Sequence, residues 1–180
     1  MRLFVALELP AQARAALAGW AAAVAPAAMR RVPAENLHVT LAFLGSRPPG
    51  DAETVAALLD GLARPLGPLA VEDPLWLPPR RPGVLAVALR AGPGLAELHA
   101  DLVAALAGAI GFEPERRALR PHVTVARARR EARLRAVELD PPPPVLRFEP
   151  EALVLYRSYT GAGGARYEAL ARVQADERHR

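Results

Sequence analysis

The sequence contains no cysteine, and this absence removes several chemistries at once. A chain without cysteine has no disulfide framework, no thiolate zinc site and no cysteine nucleophile. Any reaction must therefore use His, Asp, Glu, Ser, Thr, Tyr or Arg. The 180 residues suffice for one compact domain, or for two small lobes that share a core.

Lysine is also absent, and all 23 basic side chains are arginine. The single isoleucine, the single asparagine and the 19 prolines indicate coding bias in a GC-rich genome more than selection at each site. Arginine still matters chemically, because its guanidinium forms paired hydrogen bonds with phosphate that lysine cannot form. The formal net charge of +4 permits an anionic partner without requiring one.

Long hydrophobic runs are missing as well. The apolar N-terminus is interrupted by Glu8 and Pro10, a pattern that fits no signal peptide. The longest apolar runs, 15–28 and 102–110, are rich in Ala and Gly and shorter than the roughly 20 residues of a membrane span. These features predict a soluble, cytoplasmic protein without membrane contact.

Hydrophobic periodicity, glycine and proline divide the rest of the chain into helices and strands. We predict strands at 3–9, 37–44, 69–77, 84–90, 122–128, 152–158 and 167–173, and helices at 11–24, 51–63 and 94–110. Residues 129–140 are predicted to form a short helix or a loop, and the prolines at 141–144 a stiff connector. Several neighbouring strands are joined by hairpin-length turns, which favours an α+β or α/β class with a mostly antiparallel sheet.

A short repeat is the most informative motif. HVTLA at 38–42 recurs as HVTVA at 122–126, 84 residues later. The chain has only four His and four Thr, so chance is a poor explanation for two copies of His-x-Thr. Every second side chain of a strand lies on the same face, so each strand presents a His and a Thr together. A duplicated half-domain, whose His and Thr only satisfy each other's hydrogen bonds, is the structural alternative.

Two such strands facing each other suit the opening of a phosphodiester by water. That reaction needs a base for the attacking water and an acid for the departing alkoxide, on opposite sides of phosphorus. Imidazole serves either role at neutral pH, because its unperturbed pKa is near 6.5. Threonine hydroxyls can donate to the non-bridging oxygens, where charge grows. This arrangement requires no metal.

The paired motifs resemble those of the 2H (two-histidine) phosphoesterases. Among these, the chain is most similar to the RNA 2',3'-cyclic phosphodiesterase family, which is also labelled 2'-5' RNA ligase. The resemblance includes RLFVALELP at 2–10, NLHVTLAFLG at 36–45, RPHVTVAR at 120–127 and SYTGAGGARYEAL at 158–170. These segments span nearly the whole chain.

The resemblance implies an α+β fold in which two duplicated antiparallel sheets flank a cleft, with helices outside. Residues 1–180 would then form one domain of two pseudo-symmetric lobes. The implied activity is metal-independent hydrolysis of RNA 2',3'-cyclic phosphate ends to 2'-phosphate, with reversible 2'-5' ligation by the same residues. No cofactor is expected. The implied partners are RNA ends, such as those of tRNA fragments, or small cyclic nucleotides, bound by a monomer.

The resemblance also implies roles for the four motif residues. His38 and His122 are the catalytic pair, and Thr40 and Thr124 hold phosphate oxygens. We predict that His122 accepts a proton and that His38 donates one, although the sequence does not decide between the two.

Strand alternation also predicts the orientation of other residues near the motifs. Arg120 and Arg127 are candidate phosphate ligands, but only Arg120 shares strand parity with His122. Strict alternation would point Arg127 away from the cleft and place Phe43 in the core, although Phe43 is also a candidate for stacking on a base.

Tyr159 and Tyr167 are expected either to border the cleft or to pack in the core. His99 and His179 are expected to have no catalytic role.

Three alternative functions compete with this hypothesis. A metal hydrolase would combine His38 and His122 with a carboxylate, but the nearby Glu35 lies off the His-bearing face. A non-catalytic RNA-end binder would use the Arg and Thr contacts and would not need two His. A related phosphodiesterase would act on a different substrate, such as ADP-ribose cyclic phosphate or 2'-5' oligonucleotides.

Overall fold

A computed structural model describes residues 1–130, 132–161 and 164–175. Within these ranges the chain forms nine strands and three helices. The strands are β1 (Arg2–Glu8), β2 (Met29–Arg31), β3 (His38–Ser46), β4 (Leu69–Leu77), β5 (Val84–Arg90), β6 (His122–Ala128), β7 (Arg147–Phe148), β8 (Ala152–Gly161) and β9 (Gly164–Gln174). The helices are α1 (Ala11–Val24), α2 (Pro49–Leu62) and α3 (Pro93–Ile110), and a 3₁₀ turn covers Ala34–Asn36.

The strands form one antiparallel sheet with a narrow waist. Their order is β7-β4-β5-β6-β3-β1-β8-β9, and β2 pairs with β6 on the same edge as β3, opposite β5. At the centre, β3 and β6 are joined through the pair Val39 and Val123. The predicted α+β class and antiparallel pairing are confirmed, but the two predicted sheets are continuous through this pair. Each half of the sheet contains one His-x-Thr strand.

Proline and glycine lie at the ends of the helices, but α2 and α3 begin two residues and one residue before their predicted starts. Pro49 and Pro93 occupy the first turns of α2 and α3, where a missing N–H leaves no backbone bond unmade. Gly111 ends α3 in the left-handed conformation, with φ of 60°, which glycine adopts without steric cost. The alternative of a short helix at 129–140 is wrong over its described residues, which form an irregular connection.

The core lies between the sheet and the helices. In β1, Val5, Ala6 and Leu7 are fully buried. α2 and α3 pack against each other, and α2 also contacts β8 and β9. The resulting layered fold is that of a soluble protein.

α3 differs from the sequence-based expectation in one respect. Among the helices of the described chain, it alone is long and apolar enough to cross a membrane by length and composition. The interrupted apolar runs did not predict this. Leu95, Leu98, Leu102 and Leu106 form one buried stripe of the helix, as expected for a core helix.

Candidate active site

His38 lies at the start of β3 and is oriented by two hydrogen bonds. Its Nδ1 is 2.7 Å from the backbone oxygen of Asn36, and its Nε2 is 3.0 Å from Thr40 Oγ1. A carbonyl oxygen can only accept, so Nδ1 carries the hydrogen in the neutral ring. The lone pair is then on Nε2, which accepts from the Thr40 hydroxyl. Nε2 is therefore the nitrogen available for proton transfer.

His122, at the start of β6, repeats the first of these two hydrogen bonds. Its Nδ1 is 2.8 Å from the backbone oxygen of Arg120, again two residues earlier in the chain. The neutral ring therefore has its lone pair on Nε2 as well. The sequence repeat thus produces the same tautomer in both histidines.

The pairing of Val39 with Val123 brings the two motifs together. In an antiparallel pair, the neighbours of a paired residue lie opposite each other in reverse order. His38 is therefore opposite Thr124, and His122 is opposite Thr40. Valines face the interior, and both are fully buried.

A cavity of about 170 Å³ lies at this junction. All four motif residues line it, as the sequence predicts. Its lining residues are Val32, Asn36, His38, Thr40, Phe43, Leu77, Val84, His122, Thr124, Arg127 and Tyr167. The cavity thus combines two imidazoles, two hydroxyls and one guanidinium, the groups needed to bind and open a phosphodiester.

A β-bulge follows the threonine in each motif. Two orientations predicted from strict alternation are therefore wrong. The register of β3 against β1 shifts between Thr40 and Ala42, and that of β6 against β5 shifts between Thr124 and Ala126. An extra residue reverses the alternation beyond it.

The reversal decides where the next side chains point. Phe43 is 61% exposed, so its predicted core position is wrong. Arg127 lines the cavity, so the expectation that it points away is also wrong. Both side chains lie on the same face as His38 and His122.

Aromatic rings surround His38. The centroid of its ring is 4.9 Å from that of Phe4, 5.3 Å from that of Tyr167 and 6.2 Å from that of Tyr156. Burial lowers the pKa of His38 to about 4, and the positive charges of Arg127 and His122 add to this effect. The hydrogen bond to the Asn36 carbonyl opposes it. At neutral pH the unliganded ring is therefore uncharged.

Asn36 is a site residue that the sequence reasoning missed. Its backbone oxygen accepts from His38, while its side-chain Nδ2 donates to the backbone oxygen of Ala165, at 3.0 Å. This connects the His38 strand to the start of β9. The signal was available, since Asn36 is the single asparagine of the chain and opens the NLHVTLAFLG segment.

Several other candidates lie away from the cavity. Arg120 is exposed, precedes β6 and contributes its backbone oxygen to His122. Tyr159 is on the β8–β9 hairpin, where its hydroxyl donates to Glu168 and Arg157 stacks on its ring at 4.5 Å. Of the two predicted cleft tyrosines, only Tyr167 lines the cavity.

His99 and Glu35 also lie outside the lining of the cavity. His99 is half-buried on α3, and His179 lies outside the described residues. Glu35 is exposed. In the part of the chain that the structure describes, no group of three or more His, Asp or Glu side chains is arranged to hold a metal ion.

Comparison with known proteins agrees with this geometry. The sequence profile of the 2'-5' RNA ligase superfamily matches residues 7–162. The RNA 2',3'-cyclic phosphodiesterase of Escherichia coli (strain K12) is 33% identical over 174 residues, which are 95% of this chain and 94% of the relative.

Solved structures show the same fold. A protein of Thermus thermophilus superposes with a TM-score of 0.81 at 29% identity, covering 99% of this chain and 100% of that chain. The crystal structure of E. coli LigT complexed with 3'-AMP has a TM-score of 0.79 at 32% identity, over 98% of both chains. With its two His-x-Thr strands and this likeness over nearly its full length, the chain belongs to the 2'-5' RNA ligase superfamily.

Proposed function

We propose that this protein hydrolyses the 2',3'-cyclic phosphate end of RNA to a 2'-phosphate, without a metal ion. The observation that carries the proposal is the meeting of the two His-x-Thr strands at Val39 and Val123, which brings both histidines to one small cavity. The E. coli relative, an RNA 2',3'-cyclic phosphodiesterase, supports the choice of substrate.

The reaction follows from the two nitrogens. His122 Nε2 takes a proton from a water molecule as its oxygen attacks phosphorus. The bond from phosphorus to O3' breaks on the opposite side, and His38 donates its Nε2 proton to the departing O3'. The product has a 2'-phosphate and a free 3'-hydroxyl. The histidines exchange protonation states, and proton transfer through water restores them.

His38 must be protonated to act as the acid, although its pKa in the unliganded protein is about 4. The substrate supplies the missing stabilisation. A phosphate anion bound at Arg127 offsets the positive charge that disfavours the imidazolium, and a hydrogen bond to a phosphate oxygen stabilises it further. Binding of substrate and protonation of His38 are therefore coupled.

The remaining lining residues bind the substrate. Thr40 and Thr124 donate their hydroxyls to the non-bridging oxygens, and Arg127 pairs with the phosphate charge. Phe43 is exposed beside the histidines, which suits stacking on the terminal base. The role of Arg120 as a phosphate ligand stays a prediction, and its side chain lies outside the cavity lining.

Ligation is the same chemistry with another nucleophile. If the 5'-hydroxyl of a second RNA replaces water, His122 takes its proton and a 2'-5' phosphodiester forms. The proposal includes tRNA fragments and small cyclic nucleotides as substrates, a cytoplasmic location and a monomer that acts as one domain of two lobes. The completeness of the cavity within one chain supports the monomer.

Product analysis tests the proposal. The protein is incubated with an RNA that ends in a 2',3'-cyclic phosphate, with a 2',3'-cyclic mononucleotide and with a 2'-5' dinucleotide. We expect the RNA to be converted to a 2'-phosphate product. A 3'-phosphate product would reverse the direction of opening, and activity on the 2'-5' dinucleotide alone would assign a different substrate. An unchanged RNA that still binds would favour the non-catalytic binder.

A further inference from the structure

A second hollow lies next to the candidate active site and is lined mainly by arginine. It has a volume of about 520 Å³, and Arg80, Arg81, Arg133 and Arg135 line it together with Pro82. All four arginines are exposed, whereas Pro82 is buried. The six ion pairs of the described residues involve other arginines. The hollow therefore presents concentrated positive charge to solvent.

The walls of the hollow continue from the walls of the active-site cavity. Leu77 and Val84, at the base of the β4–β5 hairpin, line the cavity, and the arginines of the same hairpin follow Leu77 by three and four residues. Three residues span at most about 11 Å. The hollow thus begins within a short distance of the cavity mouth.

Hydrogen bonds hold the two walls together. The backbone N–H of Ala128 donates to the backbone oxygen of Gly83, at 2.8 Å. Further along, the indole Nε1 of Trp76 donates to the backbone oxygen of Val137, at 3.0 Å. These bonds hold the β4–β5 hairpin, which carries Arg80 and Arg81, against the segment after β6, which carries Arg133 and Arg135.

We propose that this hollow, which we call the arginine hollow, binds the phosphates of the RNA nucleotides that precede the cyclic end. The inference rests on the proposed function, because a cyclic phosphate is the 3' terminus of a strand whose other phosphates must lie outside the catalytic cavity. Guanidinium groups bind phosphates in pairs of hydrogen bonds and carry no base preference. The arginine hollow therefore favours oligonucleotides over cyclic mononucleotides without reading their sequence.

Two double variants remove charge from one wall each: Arg80→Gln with Arg81→Gln, and Arg133→Gln with Arg135→Gln. The control, Arg90→Gln with Arg147→Gln, removes the same formal charge from exposed positions, of which Arg90 is ion-paired with Glu72. Both control residues pair with Ala70 on β4, about 20 Å along the strand from its hairpin. Any effect of net charge alone is common to the three proteins.

Binding is measured by fluorescence anisotropy with a single-stranded RNA of about ten nucleotides that ends in a 3'-hydroxyl, so that no turnover is needed. Each test variant should bind on the order of tenfold more weakly than the control at low salt. The slope of log affinity against log salt should fall by about 1 to 1.5 for two lost phosphate contacts. Slopes equal to that of the control would overturn the inference, as would tighter binding of polyglutamate than of RNA.

Turnover separates this inference from the proposed function. For an RNA with a cyclic end, kcat/KM should fall in the test variants, whereas kcat/KM for a 2',3'-cyclic mononucleotide should change less than about twofold. Equal losses on both substrates would place the arginines in the catalytic cavity and contradict the inference. A wild-type protein that binds RNA through these arginines but opens no cyclic phosphate would instead contradict only the proposed function.

Discussion

Val39 pairs with Val123 at the waist of the sheet, and this one antiparallel pair sets the geometry of the site. It brings the two motifs together so that each histidine lies opposite the threonine of the other strand. A shift by one residue would turn either His-x-Thr face into the core. The fully buried valines therefore hold the register that both catalytic candidates require.

Replacement of Arg127 by glutamine should have two measurable effects. The loss of a phosphate contact should lower kcat/KM about 10- to 100-fold. The pKa of His38 should rise, because the positive charge of Arg127 contributes to its low value. The pKa is measured by NMR titration of the imidazole protons.

Arg120→Gln is the control for this variant, since Arg120 is exposed and lies outside the cavity lining. It should leave the pKa of His38 in place. An unchanged pKa in the Arg127 variant would show that its guanidinium does not act on the imidazole.

Asn36→Ala should reduce kcat more than it raises KM. The variant loses the side-chain bond to Ala165 but keeps the backbone oxygen that accepts from His38, so the ring is less firmly oriented. Loss of one such bond costs about 1 kcal/mol, or roughly fivefold in rate if expressed fully in the transition state. Steady-state kinetics on the cyclic substrate measures kcat and KM separately.

Thr54→Ala is the matched control for Asn36, because its hydroxyl also donates one bond, to the backbone oxygen of Gly50 on the exposed surface of α2. It should leave kcat unchanged. A similar loss of kcat in both variants would mean that Asn36 contributes only to general stability.

Folding stability should decrease when the pH falls from about 6.5 to about 4. The native pKa of His38 is about 4, below the value near 6.5 that applies to the unfolded chain. In this pH window the unfolded state therefore binds more protons than the native state. The free energy of unfolding consequently falls on acidification. The effect is at most about 3 kcal/mol for this group.

Urea unfolding of the wild type and of His38→Asn at several pH values checks this prediction. The free energy of unfolding of the wild type, minus that of the variant, should decrease on acidification, because only the wild type contains His38. A pH-independent difference would show that His38 titrates alike in the native and unfolded states.

Activity should survive treatment with a strong chelator. The proposed steps use imidazole, hydroxyl and guanidinium groups, and none requires a divalent cation. The rate of cyclic phosphate opening is measured before and after chelation and desalting. A loss that added zinc or manganese restores would favour the metal hydrolase alternative.

The sequence predicts the main elements of the fold well because most are locally encoded. α1, β4 and β5 begin and end at the predicted residues, since proline and glycine stand at the boundaries and the apolar period is clear between them. The two short strands β2 and β7 were not predicted. They have three and two residues, so they present no periodic pattern and depend on the strands beside them.

The orientation of the site residues could be predicted only as far as strict alternation holds. Alternation orients His38 correctly, but it fails for Phe43 and Arg127, because each follows a bulge. A bulge depends on pairing with a neighbouring strand and leaves no mark in the sequence of its own strand. The low pKa of His38 likewise depends on burial among residues such as Phe4 and Tyr167, which tertiary packing brings to the ring.

The most direct test of two-histidine catalysis is the rate constant for opening a cyclic RNA end in His38→Asn, His122→Asn and the double variant. We expect each single variant to lose about 10²- to 10⁴-fold in kcat, with unimpaired binding of a single-stranded RNA that ends in a 3'-hydroxyl. The double variant should lose little more, because the two groups act in one step. A single variant that keeps its rate within a few-fold of the wild type would contradict two-histidine catalysis.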